Sequence, residues 1–276
     1  MNLHPDLQDK LQVLDQLLIS MNRIMISFSG GVDSTFLLAR AKHVLSDRVL
    51  AVTAASETFP QKEVDSAVQL AKSFSVRHIV TQIEELRNAN FVNNDTDRCY
   101  HCKTGLFTHL LDIAKLEHIS TICDGSNYDD LSDYRPGFKA LHNLSIRSPL
   151  LEAKLTKEEI RLISKEMGLP TWNKPSFACL SSRIPYGTKI TLEKITQIEE
   201  AEEFLKSMGI LQIRVRHHDA IARIEVYPKD FPIILENYHE ISDALRGLGF
   251  HYVTLDLQGY QTGSMNRRIT ATNTNS

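Results

Sequence analysis

The sequence predicts an α/β fold, a parallel sheet with helices on both faces, followed by a small C-terminal α+β domain. Three observations carry this. Short apolar runs alternate with amphipathic helical patterns as far as Pro170, the order that builds parallel strands joined by crossover helices. One such run, Arg23–Ser27, feeds directly into Ser29-Gly-Gly-Val-Asp-Ser-Thr35, after which helical character resumes. Around Pro185-Tyr-Gly187 the pattern changes, and the order becomes helix, strand, strand, helix, strand.

Taken in order, Leu7, Leu11, Leu14 and Leu18 recur at helical spacing and predict an amphipathic helix over residues 5–20. Arg23–Ser27 is the first strand, and Thr35–Leu45 returns to helix. Val49–Ala54 is a second strand, followed by a helix over 60–74, a third strand at Arg77–Thr81 and a helix over 103–117. Ser120–Cys123 is a fourth strand, ending in Asp124-Gly-Ser-Asn127. A helix over 156–168 opens on the capping-box pattern Thr156-x-x-Glu159 and closes at Gly168 and Pro170. Sheets of this kind bind ligands beyond the carboxyl ends of their strands. The glycine loop, Ser56 and Asp124–Asn127 all follow strands, so one edge can collect them.

In the C-terminal part, Ile195, Ile198, Leu205 and Met208 mark a helix, Gln212–Arg216 a strand, and alternating Ala222, Ile224 and Val226 another. Ile234, Tyr238, Ile241 and Leu245 mark a second helix and Tyr252–Leu257 a last strand. The expected organisation is a main domain over 1–185, a small domain over 186–266, and a polar tail over 267–276 expected to be disordered.

A net charge of −3 gives no basic balance of the kind that duplex nucleic acid or an anionic membrane would select, so neither is an expected partner. The apolar stretch Leu11–Ile19 is interrupted by Gln12, Asp15 and Gln16, and no run approaches the ~18 apolar residues of a spanning helix. The expectation is a cytoplasmic protein, in which cysteines at short spacing point to metal or redox chemistry rather than to structural disulfides.

The loop Ser29, Gly30, Gly31, Val32, Asp33, Ser34 has the makings of an anion site. Glycines let the backbone approach a ligand closely, and successive amides and the following helix N-terminus face negative charge. Ser29, Ser34 and Thr35 add hydroxyl donors, and Asp33 suits a phosphate site if it helps hold Mg²⁺. The Gly-Lys-Ser/Thr ending of a Walker A loop is missing.

Cys99-Tyr-His-Cys102 has the spacing at which two thiolates reach one metal. Cys179 lies in the polar segment Trp172–Gly187, where Lys174 and Arg183 are candidates to stabilise a thiolate. Cys123 ends an apolar strand and reads as packing. For the other three, burial as small apolar residues, a zinc site using His101 or another histidine, a redox dithiol and an iron–sulfur cluster with one open iron all remain open.

The loop resembles that of the PP-loop ATP pyrophosphatase superfamily, also called adenine-nucleotide α-hydrolases. The resemblance implies ATP as cofactor, cleavage between the α and β phosphates, and transfer of AMP to a substrate oxygen. A second set of motifs is more specific. It comprises Asp124-Gly-x-Asn127 with Asp130, Tyr134-Arg-Pro-Gly-x-Lys-Ala140, Trp172-Asn-Lys174, Ser181-Ser-Arg183 with Pro185-Tyr-Gly187, Arg214-x-Arg216, Ile221-Ala-Arg-Ile-Glu225, Tyr252–Leu257 and Gly259-x-x-x-Gly263-x-x-Asn266. Together these resemble the LarE sulfur transferases of nickel-pincer nucleotide cofactor synthesis, over nearly the whole chain.

That resemblance implies adenylation of a carboxylate of pyridinium-3,5-biscarboxylic acid mononucleotide, displacement of AMP by sulfur, and a repeat on the second carboxylate. It implies ATP at Ser29–Ser34, Asp124 and Asn127, and substrate or its phosphate at Arg183, Arg214 and Arg216. Mg²⁺ at Asp33 and Glu225 and a homo-oligomer working on a small-molecule nucleotide belong to the same expectation. Some members sacrifice one cysteine as sulfur donor, and that cysteine aligns here with Ala178, one place before Cys179. Others bind a [4Fe–4S] cluster through three cysteines, and Cys99, Cys102 and Cys179 match that set, with Cys179 as the sulfur-handling residue. A second departure is Gln261, where a phosphate-binding arginine can occur, with Arg267 and Arg268 close by in sequence. The competing readings are a tRNA-thiolating relative, an ammonia-using amide synthase and a non-catalytic nucleotide-binding protein.

Overall fold

The computed structural model describes residues 4–132, 137–176, 178–261 and 264–266. Tyr134–Pro136, Gly263, Arg267, Arg268 and the polar tail lie outside the described residues. The chain falls into two compact units, Met1–Glu85 with Cys99–Phe177 and Leu86–Arg98 with Ala178–Ser276. The sequence pattern expects one break after residue 185. Periodicity is blind to a segment that leaves a unit and returns to it, as Leu86–Arg98 does.

Helix α1 (Pro5–Met21) has proline at its start, where a missing N–H is harmless, and buries Leu7, Leu11, Leu14 and Leu18. Strand β1 (Ile24–Ser27) enters the glycine loop, and α2 (Val32–Leu45) leaves it. The helix starts three residues before the expected Thr35, because Gly31 serves as N-cap and Val32–Ser34 form the first turn. Next come β2 (Val49–Ser56), α3 (Gln61–Ser73) and β3 (Arg77–Ile83). The short α4 (Ala89–Val92) falls in the second unit. Helix α5 (Arg98–Leu116) starts five residues before the expected 103, so the C-x-x-C pair sits inside a helix rather than ahead of one. β4 (Thr121–Cys123), α6 (Gly137–Asn143), α7 (Pro149–Glu152) and α8 (Lys157–Glu166) complete the unit.

All four strands are parallel, in the order β3-β2-β1-β4. Their side chains alternate between two cores. Ile24, Ile26, Val49 and Ala51 pack with residues of α1, α2, α3 and α8. Met25, Leu50, Val52 and Ile122 pack with Phe107, Leu110 and Ala114 of α5 and Leu141 of α6. Helices therefore cover both faces, as the alternation predicts. The chain goes one way from β1 to β2 and the other way to β4, so the end of β1 is the topological switch point where such sheets bind ligands.

The capping box of α8 is formed. Glu159 N donates to Thr156 Oγ1 at 3.3 Å, and Thr156 N donates to Glu159 Oε2 at 2.9 Å. Thr156→Ala is expected to cost about 1 kcal/mol, read as a lower urea midpoint at unchanged slope.

The second unit orders α9 (Leu192–Ser207), β5 (Ile213–His218), β6 (Ile221–Val226), α10 (Phe231–Glu236), α11 (Tyr238–Gly247) and β7 (Tyr252–Leu255). β5 runs antiparallel and β7 parallel to the central β6. The helix expected across Ile234–Leu245 is two helices meeting at Asn237, whose Nδ2 donates to the Ile233 carbonyl at 2.8 Å and ends α10. Leu205, Val215, Ile224, Val226, Ile241, Leu245 and Phe250 are among its core residues. Among the described residues, no helix is long and apolar enough to cross a membrane.

Candidate active site

Gly30 has φ +66°, and a side chain there would begin 3.2 Å from Cα and Cβ of Ala67 on α3. Conformation and close approach both require glycine. Ser29 Oγ lies 3.1 Å from Ser34 Oγ, and Gly31 N donates to Ser29 Oγ at 3.4 Å. Gly31 caps α2 without a side-chain bond, leaving the first-turn amides and the positive end of the helix dipole for an anion. The turn after β4 lies against this loop, for a side chain on Gly125 would begin 3.1 Å from Ser34 N. Asp124 accepts from Ser126 Oγ and Ser148 Oγ at 2.5 and 2.6 Å, with Lys103 Nζ at 3.5 Å. Asn127 accepts from Asp129 N and donates its own N–H to Asp130, both at 3.0 Å. Ser56, expected at the same edge, bonds Glu85 at 2.9 Å.

Asp33 Oδ2 accepts from Lys157 Nζ at 2.5 Å, whereas Oδ1 is buried with no partner. Burial pushes its carboxyl above the ordinary value, and Lys157 opposes this. An orphaned buried carboxylate oxygen beside a phosphate loop fits a divalent cation bound with the nucleotide. Sequence reasoning missed Lys157. The only signal was its place just inside the capping box.

Lys174, expected to stabilise a thiolate, does something else. Its Nζ donates to the Gly30 carbonyl at 3.1 Å and to Glu63 Oε2 at 2.7 Å, so its charge serves the glycine loop.

Cys99 and Cys102 stand three apart in the first turns of α5 and share a helix face. Cys102 Sγ donates to Glu85 Oε1 at 2.8 Å, and Glu85 Oε2 accepts from Ser56 and Thr58. Both thiols are half-buried and unlinked. Cys123 is sealed in the core with its thiol on Met21 Sδ at 3.7 Å, and burial pushes that thiol up, so it packs and does not react. Among the described residues, no three His, Cys, Asp or Glu side chains form a metal-holding group.

In the second unit Cys179 precedes a short 3₁₀ turn, Leu180–Arg183, with Sγ 3.0 Å from Ser181 Oγ. Arg183 is wholly buried. Its Nε and Nη2 each donate to Glu202 at 2.9 Å, and Nη1 donates to the carbonyls of Ala178 and Cys179. Burial works against the Glu202 charge, but Arg183 more than offsets it and holds the carboxyl below the ordinary range. The expected substrate contact for Arg183 is therefore replaced by a structural one, a guanidinium fastening the Cys179 loop to α9. Arg98 braces the same loop, donating to Ser181 O at 3.0 Å and Asn94 Oδ1 at 2.7 Å under the Tyr186 ring.

Arg214 and Arg216 are buried on β5 rather than solvated. Arg216 donates to Glu225 at 2.7 Å, Ser264 Oγ at 3.0 Å and Ser182 O at 3.2 Å, while its buried Nε has no partner. Arg214 lies over the Tyr260 ring, and burial together with Arg183 lowers its pKa to about 10. Glu225, expected as a Mg²⁺ ligand, is fully buried between Arg216 and Arg223, the latter at 3.1 Å. Two guanidiniums already neutralise it, so its surroundings suit the support of an arginine anion site better than a metal. Gln261 is exposed.

Residues 8–103 match the NAD synthase family. The chain is 39% identical over 265 residues to the pyridinium-3,5-bisthiocarboxylic acid mononucleotide synthase of Lactiplantibacillus plantarum, covering 96% of both proteins. An uncharacterized protein of Synechocystis sp. is 40% identical over 96% of this chain and 99% of its own length. Another, of Methanocaldococcus jannaschii, is 30% identical over 87% of this chain and 91% of its own.

Proposed function

The chain belongs to the family of the pyridinium-3,5-bisthiocarboxylic acid mononucleotide synthase, and on that premise we propose how its residues divide the reaction. It is an ATP-dependent, sulfur-transferring enzyme. A carboxylate oxygen of pyridinium-3,5-biscarboxylic acid mononucleotide attacks the α-phosphorus of ATP, the bond to the β-phosphate breaks, and pyrophosphate leaves. Sulfur then displaces AMP to give a thiocarboxylate, and a second round gives the dithio product. A free carboxylate resists nucleophiles, and the adenylate supplies the leaving group.

The observation that carries this reading is the glycine loop at the switch point, with Asp33 Oδ1 buried and unpartnered beside it. Amides of the loop and of the first turn of α2 hold the departing phosphates, and Asp124 and Asn127 set the turn that backs them. Asp33 would hold Mg²⁺, which supplies charge neutralisation at the phosphates. Arg214 and Arg216 bind the mononucleotide phosphate, with Arg216 Nε as the spare donor.

Cys99, Cys102 and Cys179 are the proposed ligands of a [4Fe–4S] cluster. Soft sulfur donors suit such a cluster, none of the three cysteines is tied up in a disulfide, all are half-buried, and two share a helix face. When bound, the cluster supplies an iron open to exogenous sulfide. A homo-oligomeric, cytoplasmic enzyme belongs to the same reading, and light scattering tests the assembly.

The deciding experiment incubates the protein, reconstituted with iron and sulfide, anaerobically with ATP, Mg²⁺, sulfide and the biscarboxylate mononucleotide. Pyrophosphate and AMP are expected only with the mononucleotide present, together with a thiolated product and an unchanged protein mass. Pyrophosphate released without the mononucleotide would sink the reading. A loss of about 34 Da at Cys179, hydrogen sulfide eliminated from a thiol, would replace the cluster with a sacrificed cysteine.

A further inference from the structure

The two Nη atoms of Arg161 on α8 grip the carbonyls of Trp172 and Lys174 at 2.7 and 2.8 Å. This fixes the backbone from which Lys174 reaches the glycine loop. Its Nζ sits between the Gly30 carbonyl and Glu63. Glu63 lies one helical turn before Ala67, the residue whose backbone crowds Gly30. Helix α3 thus backs the loop with a small residue and a carboxylate, and the lysine fills the angle between them.

The Gly30–Gly31 peptide is trans, so its C=O and N–H point to opposite sides. Anchoring the Gly30 carbonyl to Lys174 turns the Gly31 N–H away from it, toward Ser29 Oγ at 3.4 Å. That bond is long, and the donor is readily taken over by a stronger acceptor. A cation on the carbonyl side also polarises the peptide and strengthens its N–H as a donor.

We infer that Lys174, held by Glu63, is a positioning residue that orients and polarises the Gly30–Gly31 peptide so that the Gly31 N–H meets the departing pyrophosphate. The inference rests on the adenylating reading above. It assigns the loop a lysine that works from behind the peptide, where a Walker A loop carries its own in contact with phosphate.

The test compares K174M, K174R, E63Q and the double variant E63Q/K174M in the full chain. The readouts are kcat and KM for ATP in pyrophosphate release, and calorimetric affinity for inorganic pyrophosphate with Mg²⁺. K174M is expected to lower kcat about tenfold or more with KM for ATP within about threefold, the signature of an interaction made as charge develops. Pyrophosphate affinity falls in parallel. E63Q moves the same way, the double variant is no worse than K174M, and K174R recovers most of the loss. E63Q with higher kcat or tighter pyrophosphate binding would overturn the inference, because the lysine would then work by leaving Glu63 to touch phosphate. Additive losses, or K174M at the wild-type rate, would overturn it too. Should K174M fail to fold, E63Q and K174R decide. A wild-type chain that binds pyrophosphate but releases none from ATP with the mononucleotide overturns the reaction instead, and the affinities still decide the role of Lys174.

Discussion

Arg183→Met is expected to destabilise the second unit by about 3–5 kcal/mol, the cost of removing one partner from a buried ion pair. The Arg183 and Glu202 side chains are 0% and 2% exposed, so no solvent reaches the carboxylate that the substitution strands. The Ala178 and Cys179 carbonyls lose their donor as well. Val215 N, which donates to Glu202 at 3.1 Å, and the nearby charge of Arg214 would be left to hold the buried anion. Glu202→Leu added to Arg183→Met should recover part of the loss, since two apolar groups replace two charges. Urea unfolding followed by circular dichroism measures both.

The pH dependence has a definite sign. The folded pKa of Glu202 is depressed, so its contribution is present above the unfolded carboxylate value, about 4.3, and lost as pH falls through the folded value below it. The gap between wild type and Arg183→Met should be widest near neutral pH and narrow as pH falls, first as the stranded Glu202 of the variant, pushed up by burial, takes up a proton, and then below about pH 4 as the wild-type pair is lost. A gap unchanged deep into acid would mean that packing of the arginine stem dominates.

The same pair marks where sequence reading stops. Alternation of strand and helix foretold helices on both faces, and strand geometry then sends Ile24 and Ile26 to one core and Met25 to the other. Thr156 and Glu159 foretold their own cap, because the interaction spans three residues. Burial of charge has no local signature. Arg183, Arg214, Arg216 and Glu225 look in sequence like polar surface, yet each is buried against an ion-pair or ring partner brought in by the tertiary fold. The cations around the glycine loop were illegible for the same reason, since Lys157 and Lys174 lie 124 and 144 residues from the loop atoms they bond. Sequence could report that the loop lacks a lysine. Only the fold shows where lysines arrive from.

The largest functional effect is expected at one atom. Cys179→Ser should leave mononucleotide-dependent pyrophosphate release near the wild-type rate while thiolated product falls by at least about 10³-fold, the scale for removing the reacting group of a site. Two features separate the steps. The loop is fastened through main-chain carbonyls by Arg183 and Arg98, which a side-chain change at residue 179 does not touch. The replacement oxygen can keep the contact that Sγ makes with Ser181 Oγ at 3.0 Å. Adenylation, whose phosphate loop belongs to the first unit, needs no sulfur and should proceed until the adenylate accumulates or hydrolyses to AMP and the starting carboxylate. Cys123→Ser is the control. It places a hydroxyl in a sealed apolar core, so it should lower stability and leave the product ratio unchanged. Product formed at the wild-type rate by Cys179→Ser would remove this cysteine from sulfur handling. Loss of pyrophosphate release together with product would instead place residue 179 in the activation step.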